Sequence, residues 1–398
     1  TQQSPPSLPP SLPPSIYPPL CLPSRDQTRL LMLAKKAFTK PKFLLNGNAV
    51  RCLSTSKTHR VLQFHGDGVG PEIVGAAERV LEATGVKFDW VRMDMGFETY
   101  EKTGHVITEE HLTALEDIKV LFKGPLTIPP GKNPYTELRG RKFTSGNQVL
   151  RKCFDLYANV RPAKLFPGLK SRFDDVDLLV VRENTEDVYT GEEKWVDDNT
   201  VEGVKRITRK ASTRIAKKAF ELAEKHGRKR VTAVHKANVC KQADGFFLDI
   251  CRDVASSYPD IKFDDQLADS LLTKMVINPS EWDVLLCPNL YGDMVSDLAA
   301  GIVGSLGLCP SGQYGEEYAV FEPCHGSAPD IAGKDISNPI SQLLSGAMLL
   351  RHLGEPEAAQ KIEVALEKVT VLGGDNLTPD LGGTGTTTSM TDAIIREL

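Results

Sequence analysis

Residues 61–398 predict an α/β protein on two observations: apolar runs of strand length, and segments of helical period between them. The runs are VDLLVVR at 176–182, RVTAVH at 230–235 and WDVLLCP at 282–288. Apolar stretches without alternation suit central strands buried on both faces. Between them, Ser212–His226 places Ile215, Ala219, Leu222 and Ala223 on one face, and Ala358–Val369 has the same period. Interleaved strands and helices of this kind define an α/β architecture. Near the start of the body, Arg60–His65 reads as a short strand. It ends in Gly66-Asp67-Gly68-Val69-Gly70-Pro71-Glu72, which opens a helix through about Ala83. The spacing is G-x-G-x-G rather than G-x-G-x-x-G, and Pro71-Glu72 replaces the third, close-packing glycine. It therefore supports a tight strand-to-helix turn and not a Rossmann nucleotide site. No internal repeat of fixed period is visible.

Charge divides the 398 residues unevenly. Residues 1–60 hold nine lysines and arginines against a single acid, Asp26, while the remainder is acidic enough to bring the chain to −4 overall. An acidic body excludes a general nucleic-acid binder, which needs a cationic face. No stretch reaches the length of apolar residues a membrane span requires. Eight cysteines lie scattered, with no C-x-x-C pair and no zinc spacing, as expected of a reduced compartment. Residues 5–23 contain nine prolines and read as an unpacked leader. From Met32, a candidate start of translation, the chain is basic, acid-free and rich in small and apolar residues to about residue 57. That composition is expected of an organelle transit peptide, mitochondrial by its Arg51-Cys52-Leu53-Ser54-Thr55-Ser56 pattern. Residues 1–60 are accordingly expected to be leader and transit peptide.

Two constellations carry chemistry. Asn289-Leu290-Tyr291-Gly292-Asp293-Met294-Val295-Ser296-Asp297 follows the WDVLLCP strand and is expected to begin a helix. Asp293 and Asp297 then share a face at i, i+4, an arrangement mildly unfavourable on a bare helix and favourable around Mg²⁺ or Mn²⁺. A solvated acidic face fits the pair as well. Arg151, Arg161 and Arg182 form the second set, with Arg182 at the mouth of a buried strand. Three guanidinium forks brought together would suit a substrate with several carboxylates, whereas each taken singly fits an ordinary salt bridge.

Seven motifs occur in order: Gly66-Asp67-Gly68-Val69-Gly70-Pro71-Glu72, Lys123-Gly124-Pro125, Asp155 through Pro162 (DLYANVRP), Arg182-Glu183-Asn184-Thr185-Glu186, His235-Lys236-Ala237-Asn238, Asn289-Leu290-Tyr291-Gly292-Asp293, and His325 through Gly333 (HGSAPDIAG). The series resembles the metal-dependent β-decarboxylating dehydrogenases, the family of the isocitrate, isopropylmalate, homoisocitrate and tartrate enzymes, over essentially all of 61–398. The resemblance implies two α/β domains sharing a mixed sheet, not Rossmann. The large domain would take 61–156 and 304–398, and the small domain with its dimer clasp 157–303. It implies a divalent metal, Mg²⁺ or Mn²⁺, between Asp269, Asp293 and Asp297. Lys236 would be the base or proton relay at the substrate hydroxyl, and Tyr189 the proton donor to the enol carbon. Lys236 and Asp269 would arrive from a neighbouring subunit, so at least a dimer is expected.

Substrate choice would turn on Ser145 and Asn147, which in the isocitrate branch bond a γ-carboxylate, with Arg151, Arg161 and Arg182 on the other charges. An alkyl group there would leave polar atoms unpaired at about 1–3 kcal/mol each. The isocitrate branch is therefore expected, with isopropylmalate, homoisocitrate or a non-catalytic regulatory subunit as alternatives. Asp330 and Ile331 imply NAD, because a carboxylate at that place suits ribose hydroxyls and repels a 2′-phosphate. The further cofactor contacts implied are Thr127, Glu322, His325, Gly326, Ala328 and Asn338. The segment between Lys123 and Ser145 departs from the family pattern: it is longer, and basic at Lys132, Arg139, Arg141 and Lys142.

Overall fold

The computed structural model describes residues 57–127 and 136–398. The expected leader up to residue 56, and the part of the basic loop that holds Lys132, lie outside the described residues. In the first third, β1 (Thr58–Phe64) runs into α1 (Gly70–Ala83), followed by β2 (Lys87–Arg92), α2 (Phe97–Thr103), α3 (Glu109–Ile118) and β3 (Val120–Lys123). The hairpin β4 (Thr136–Leu138) and β5 (Arg141–Phe143) then leads to α4 (Gly146–Cys153). The middle third holds β6 (Ala158–Lys164), β7 (Asp177–Glu183), the hairpin β8 (Glu193–Asp197) and β9 (Thr200–Gly203), and α5 (Arg209–Lys225). It continues through β10 (Arg230–His235), α6 (Ala243–Ala255), β11 (Lys262–Leu267), α7 (Ala268–Ile277), β12 (Val284–Cys287) and α8 (Asn289–Val303). The last third is β13 (Pro310–Tyr314), β14 (Ala319–Pro323), α9 (Ile340–Leu353), α10 (Pro356–Leu372) and α11 (Thr387–Glu397). Helix α5 starts three residues before the expected Ser212 because Thr208 caps it, accepting from the Ala211 amide.

Ten strands form one mixed sheet in the order β11-β10-β12-β7-β6-β13-β14-β3-β1-β2. Strands β11, β10, β12 and β7 pair in parallel, as do β14, β3, β1 and β2. Between these blocks, β6 and β13 pair antiparallel to each other and to their outer neighbours. The apolar runs read from the sequence lie here: β7 is buried from Leu178 to Glu183, and β12 throughout. The mixed order is not that of a Rossmann sheet. The described residues, 57–127 and 136–398, make one compact unit, the sheet running unbroken through it.

The glycine turn after β1 serves close backbone approach. The Asp67 amide donates to the Pro125 carbonyl at 2.8 Å, and the Val69 amide to that of Ser327 at 2.9 Å. A Cβ on Gly68, whose φ is +59°, would stand 1.9 Å from the Ser327 oxygen. Three of the seven motifs thus meet at one turn, which no other residue type could form. Among the described residues, no helix is long and apolar enough to cross a membrane, and the six cysteines are all free thiols.

Candidate active site

Register puts the two central arginines together. In the β6–β7 pair, Asn159 faces Arg182, so Arg161, two residues further along β6, projects to the same side. In the β7–β12 pair, Cys287 faces Arg182, so α8 begins next to it. Asn289, Asp293, Ser296 and Asp297 share one face of α8 by helical spacing. Arg182 is 1% exposed. Its Nε and Nη2 donate to Asn289 Oδ1 at 3.0 and 2.7 Å, and its Nη1 pairs with Asp293. Gly292 makes this approach possible, since a Cβ there would lie 2.5 Å from Arg182 Cγ. Arg161 Nη1 donates to Ser296 Oγ at 2.8 Å and lies 3.4 Å from Asp297 Oδ1 and 3.5 Å from Asp293 Oδ1; its Nε is buried with no partner. Tyr189, in a 3-10 turn at Val188–Thr190, donates its hydroxyl to Asp293 Oδ2 at 2.5 Å, and the Arg182 guanidinium lies 5.1 Å from its ring.

The charges act on one another as their placement requires. Burial pushes the Asp293 carboxyl up, but Arg182, the Tyr189 hydrogen bond, Arg161 and Arg151 outweigh it and hold it below the usual value. Burial, then repulsion from Asp293, raises Asp297 despite Arg161. Burial, then Arg151 and Arg161, brings Arg182 down to about 10. Burial and the bond to Asp293 raise Tyr189, which keeps its hydroxyl protonated.

Arg151 is tied in through Nε, which donates to Gln313 Oε1 at 2.9 Å. The same Gln313 oxygen accepts from Asn184 at 2.7 Å, and Gln313 Nε2 donates to Glu322, which pairs with the fully buried Lys123. Glu322, expected among the cofactor contacts, is thus 5% exposed and held inside this network behind Arg151. Ser145 is the N-cap of α4, its Oγ accepting from the Gln148 amide at 3.2 Å, and Asn147 Oδ1 is buried without a partner. Helix α4 also latches the Tyr189 turn: Gln148 Nε2 donates to the Tyr189 carbonyl at 3.2 Å and Lys152 to that of Thr190 at 3.1 Å.

Thr127 donates its hydroxyl to Ser327 Oγ at 2.8 Å and its amide to Asp67 at 2.6 Å, joining the Lys-Gly-Pro segment to the HGSAPD loop. His325, Gly326, Ala328 (φ +38°), Asp330 and Ile331 follow one another along that loop; Asp330 is exposed, and Ile331 packs against the core. Asn338 is occupied at both ends of its amide, accepting from the Ile340 amide and donating to Asp380, each at 3.0 Å.

Lys236 and Asp269 stand apart from the arginine cluster. Lys236, just after β10, and Asp269, in the first turn of α7, pair with each other, Nζ to Oδ1 at 2.6 Å. Among the described residues of one chain, no three His, Cys, Asp or Glu side chains gather closely enough to hold a metal. What one chain offers is the Asp293/Asp297 pair. That donor set fits Mg²⁺ or Mn²⁺, which take one or two carboxylates and fill the remaining positions with water and substrate oxygens. Sequence reasoning missed Lys123, Asn184, Asn289, Ser296 and Gln313, which orient the arginines. A lysine ending the apolar strand VLFK was the one signal that a buried carboxylate partner existed.

A cluster of arginines and aspartates on the central strands of a ten-stranded mixed sheet, in a chain whose glycine turn is tied to the HGSAPD loop, defines the class. The chain belongs to the isocitrate/isopropylmalate dehydrogenase family, whose model matches residues 60–394. It is 47% identical to the mitochondrial isocitrate dehydrogenase [NAD] catalytic subunit 5 of Arabidopsis thaliana, over 87% of this chain and 90% of that protein. It is 45% identical to the chloroplastic 3-isopropylmalate dehydrogenase of Solanum tuberosum, over 81% and 87%. The crystal structure of isocitrate dehydrogenase from Methylococcus capsulatus superposes with a TM-score of 0.79 at 43% identity, covering 85% of this chain and 99% of that one.

Proposed function

We propose that this dehydrogenase is a catalytic NAD-dependent isocitrate dehydrogenase, converting isocitrate to 2-oxoglutarate and carbon dioxide in the mitochondrial matrix. The observation that carries the substrate reading is the polar N-terminus of α4. There the Ser145 hydroxyl caps α4, and the side-chain amide of Asn147 stands one turn before Arg151. A carboxylate accepts from the Ser145 hydroxyl, from Asn147 Nδ2 and from the N-terminal amides of α4 together, whereas the isopropyl group of the rival substrate accepts from none of them. The relative of that name, at nearly equal identity, is why the residues and not the identity decide.

Ser145 already accepts at its helix cap, so its hydroxyl proton is what it has to give. Arg151 and Arg161 present guanidinium groups to the substrate's charges. Arg182 is fully engaged by Asn289 and Asp293, so it reaches substrate by exchanging Asp293 for a substrate carboxylate. Tyr189 holds a proton on Oη beside Asp293, ready for the enol carbon after carbon dioxide leaves. Asp293 and Asp297, joined by Asp269 of a second subunit, would hold Mg²⁺ or Mn²⁺. Such an ion, when bound, polarises the substrate oxygen and stabilises the enolate charge. The HGSAPD loop, Thr127 and the Asp330 carboxylate would seat NAD, which would supply the hydride acceptor.

Lys236 serves the site of a partner subunit in a homodimer or larger assembly. The exposed apolar surface supports this reading: Trp195 is 72% exposed on the β8–β9 hairpin, and Met294, beside Asp293, is 55% exposed. A lone two-stranded hairpin is marginal without a surface to pack on. The cleft is assigned between 157–303 and the pair 61–156 with 304–398. The test is an assay of isocitrate, 3-isopropylmalate, homoisocitrate and tartrate, each with NAD and with NADP. Isocitrate with NAD should give the highest kcat/KM; faster turnover of isopropylmalate overturns the substrate, and no turnover by the lone chain favours a regulatory subunit.

A further inference from the structure

A cavity of about 490 Å³ lies on the other face of the strands that carry the arginines. Alternation along β6, β7 and β13 separates the two. Arg161, Arg182 and Gln313 face the site, while Val160, Leu179 and Tyr314 face the cavity, which α5, α9 and α10 close. Its floor is apolar, with Leu222, Leu344 and Met348 beside Val160, Leu179 and the Tyr314 ring. Its walls are cationic: Lys164, Lys218, Lys225, Arg228 and Arg351 against Asp177, Glu316 and Glu363. Arg228 pairs with Asp177 and with Asp283, Arg351 with Glu363 through two bonds, and Lys164 with Glu367 outside the cavity. Among the described residues Lys218 and Lys225 form no ion pair, and the Lys218 ammonium lies 5.2 Å from the centre of the Tyr314 ring. His226 and His352, at the mouth, are held below the usual imidazole value, by partial desolvation first and then by Lys225, Arg351, Arg228 and Lys218. The opening therefore holds two cations without a carboxylate partner among the described residues, Lys218 and Lys225, facing the carboxylate of Glu316.

We propose that this cavity binds a small planar organic dianion, its ring on the apolar floor against Tyr314 and its charges at Lys218 and Lys225. The volume suits a molecule of one or two rings. An apolar floor with a few convergent charges selects for both features at once, since inorganic anions gain nothing from the floor and neutral rings nothing from the lysines. The site does not depend on which 2-hydroxy acid the enzyme oxidises.

Calorimetric titration of the full chain with benzene-1,3-disulfonate tests it, because that probe keeps its charge across neutral pH. Sulfate and benzyl alcohol serve as arms that carry the charge or the ring alone. The disulfonate should bind and the two arms should bind at least about tenfold more weakly, as the loss of charge-assisted bonds or of ring burial implies. Phenyl phosphate and benzene-1,3-dicarboxylate, ranked in the same way, distinguish a phosphorylated from a carboxylated natural ligand. Lys218→Gln with Lys225→Gln, the first half-buried and the second exposed, and neither in an ion pair, should weaken the probe by a similar factor and leave the unfolding midpoint in place. Arg151→Gln should leave binding intact. No binding of the probe, binding indifferent to the two lysines, or binding lost in Arg151→Gln would each overturn the proposal, the last by placing the anion in the arginine cluster.

Discussion

Replacing Gly292 by alanine perturbs the site without touching a charged group. The new Cβ would stand 2.5 Å from Cγ, 2.7 Å from Cβ and 3.2 Å from Cδ of Arg182. These atoms belong to the root of the side chain, so a change of rotamer at its tip gives no relief. Either α8 moves off β7 or Arg182 leaves its bonds to Asn289 and Asp293, by about 1 Å in either case, the distance that restores ordinary carbon contact. Overpacking of this kind costs about 1–3 kcal/mol of stability. A displacement of about 1 Å in a positioning group lowers turnover by about a hundredfold. Gly301→Ala on the same helix is the matched control: a Cβ there meets nothing within 4 Å. It should gain about 0.5–1 kcal/mol from helix propensity and keep its activity. Urea unfolding and steady-state kinetics of both variants provide the comparison. A Gly292→Ala protein with unchanged stability and kcat/KM would refute the assigned packing of Arg182 on α8, and with it the geometry of the site.

Two further expectations concern charge and assembly. Glu186 is 6% exposed, accepts from the amide and hydroxyl of Thr208 at 2.8 and 2.7 Å, and is pushed up to about 7 by burial, against the Thr208 bonds. A carboxyl raised in the folded state holds its proton more tightly than in the unfolded chain, so its contribution is present below about 4.5 and is lost as pH rises through about 7. Relative to Glu186→Gln, the parent protein should lose about 2–3 kcal/mol between pH 5 and 8; a difference in stability that does not change with pH contradicts this. For assembly, Lys236→Gln and Asp297→Asn should each be nearly inactive. Refolded as a mixture, they should regain part of the parent rate, since hybrid dimers contain one site with both defects and one with neither. Recovery no greater than the sum of the separate variants would place Lys236 and Asp297 in the same chain's site.

What the sequence made legible follows from local physics. VDLLVVR and RVTAVH could be read as buried strands because their apolar character is continuous, and α8 because a strand and a polar start precede it. The turn at Gly66–Gly70 was legible as a turn, but the carbonyls of Pro125 and Ser327 that require its glycines come from distant segments. The partners of the arginines were hidden for the same reason. Gln313 on β13 links Arg151, Asn184 and Glu322, three groups with no local pattern in common. The partners of Asn338 were hidden likewise, since its amide bonds Ile340 and the distant Asp380. The β8–β9 hairpin is exposed along its whole length, so it carries no alternation between buried and exposed positions from which a strand could be read.

The central claim, that Asp293 and Asp297 hold a cation needed for turnover, is tested most directly by metal removal and return. Protein dialysed against a chelator should lose NADH production from isocitrate and regain it on titration with Mn²⁺. The Asp297→Asn variant should require a much higher Mn²⁺ concentration for half-recovery, because one of the two carboxylates of a single chain is gone. Full turnover by the chelated protein, or an Mn²⁺ requirement unchanged in Asp297→Asn, would contradict the assignment.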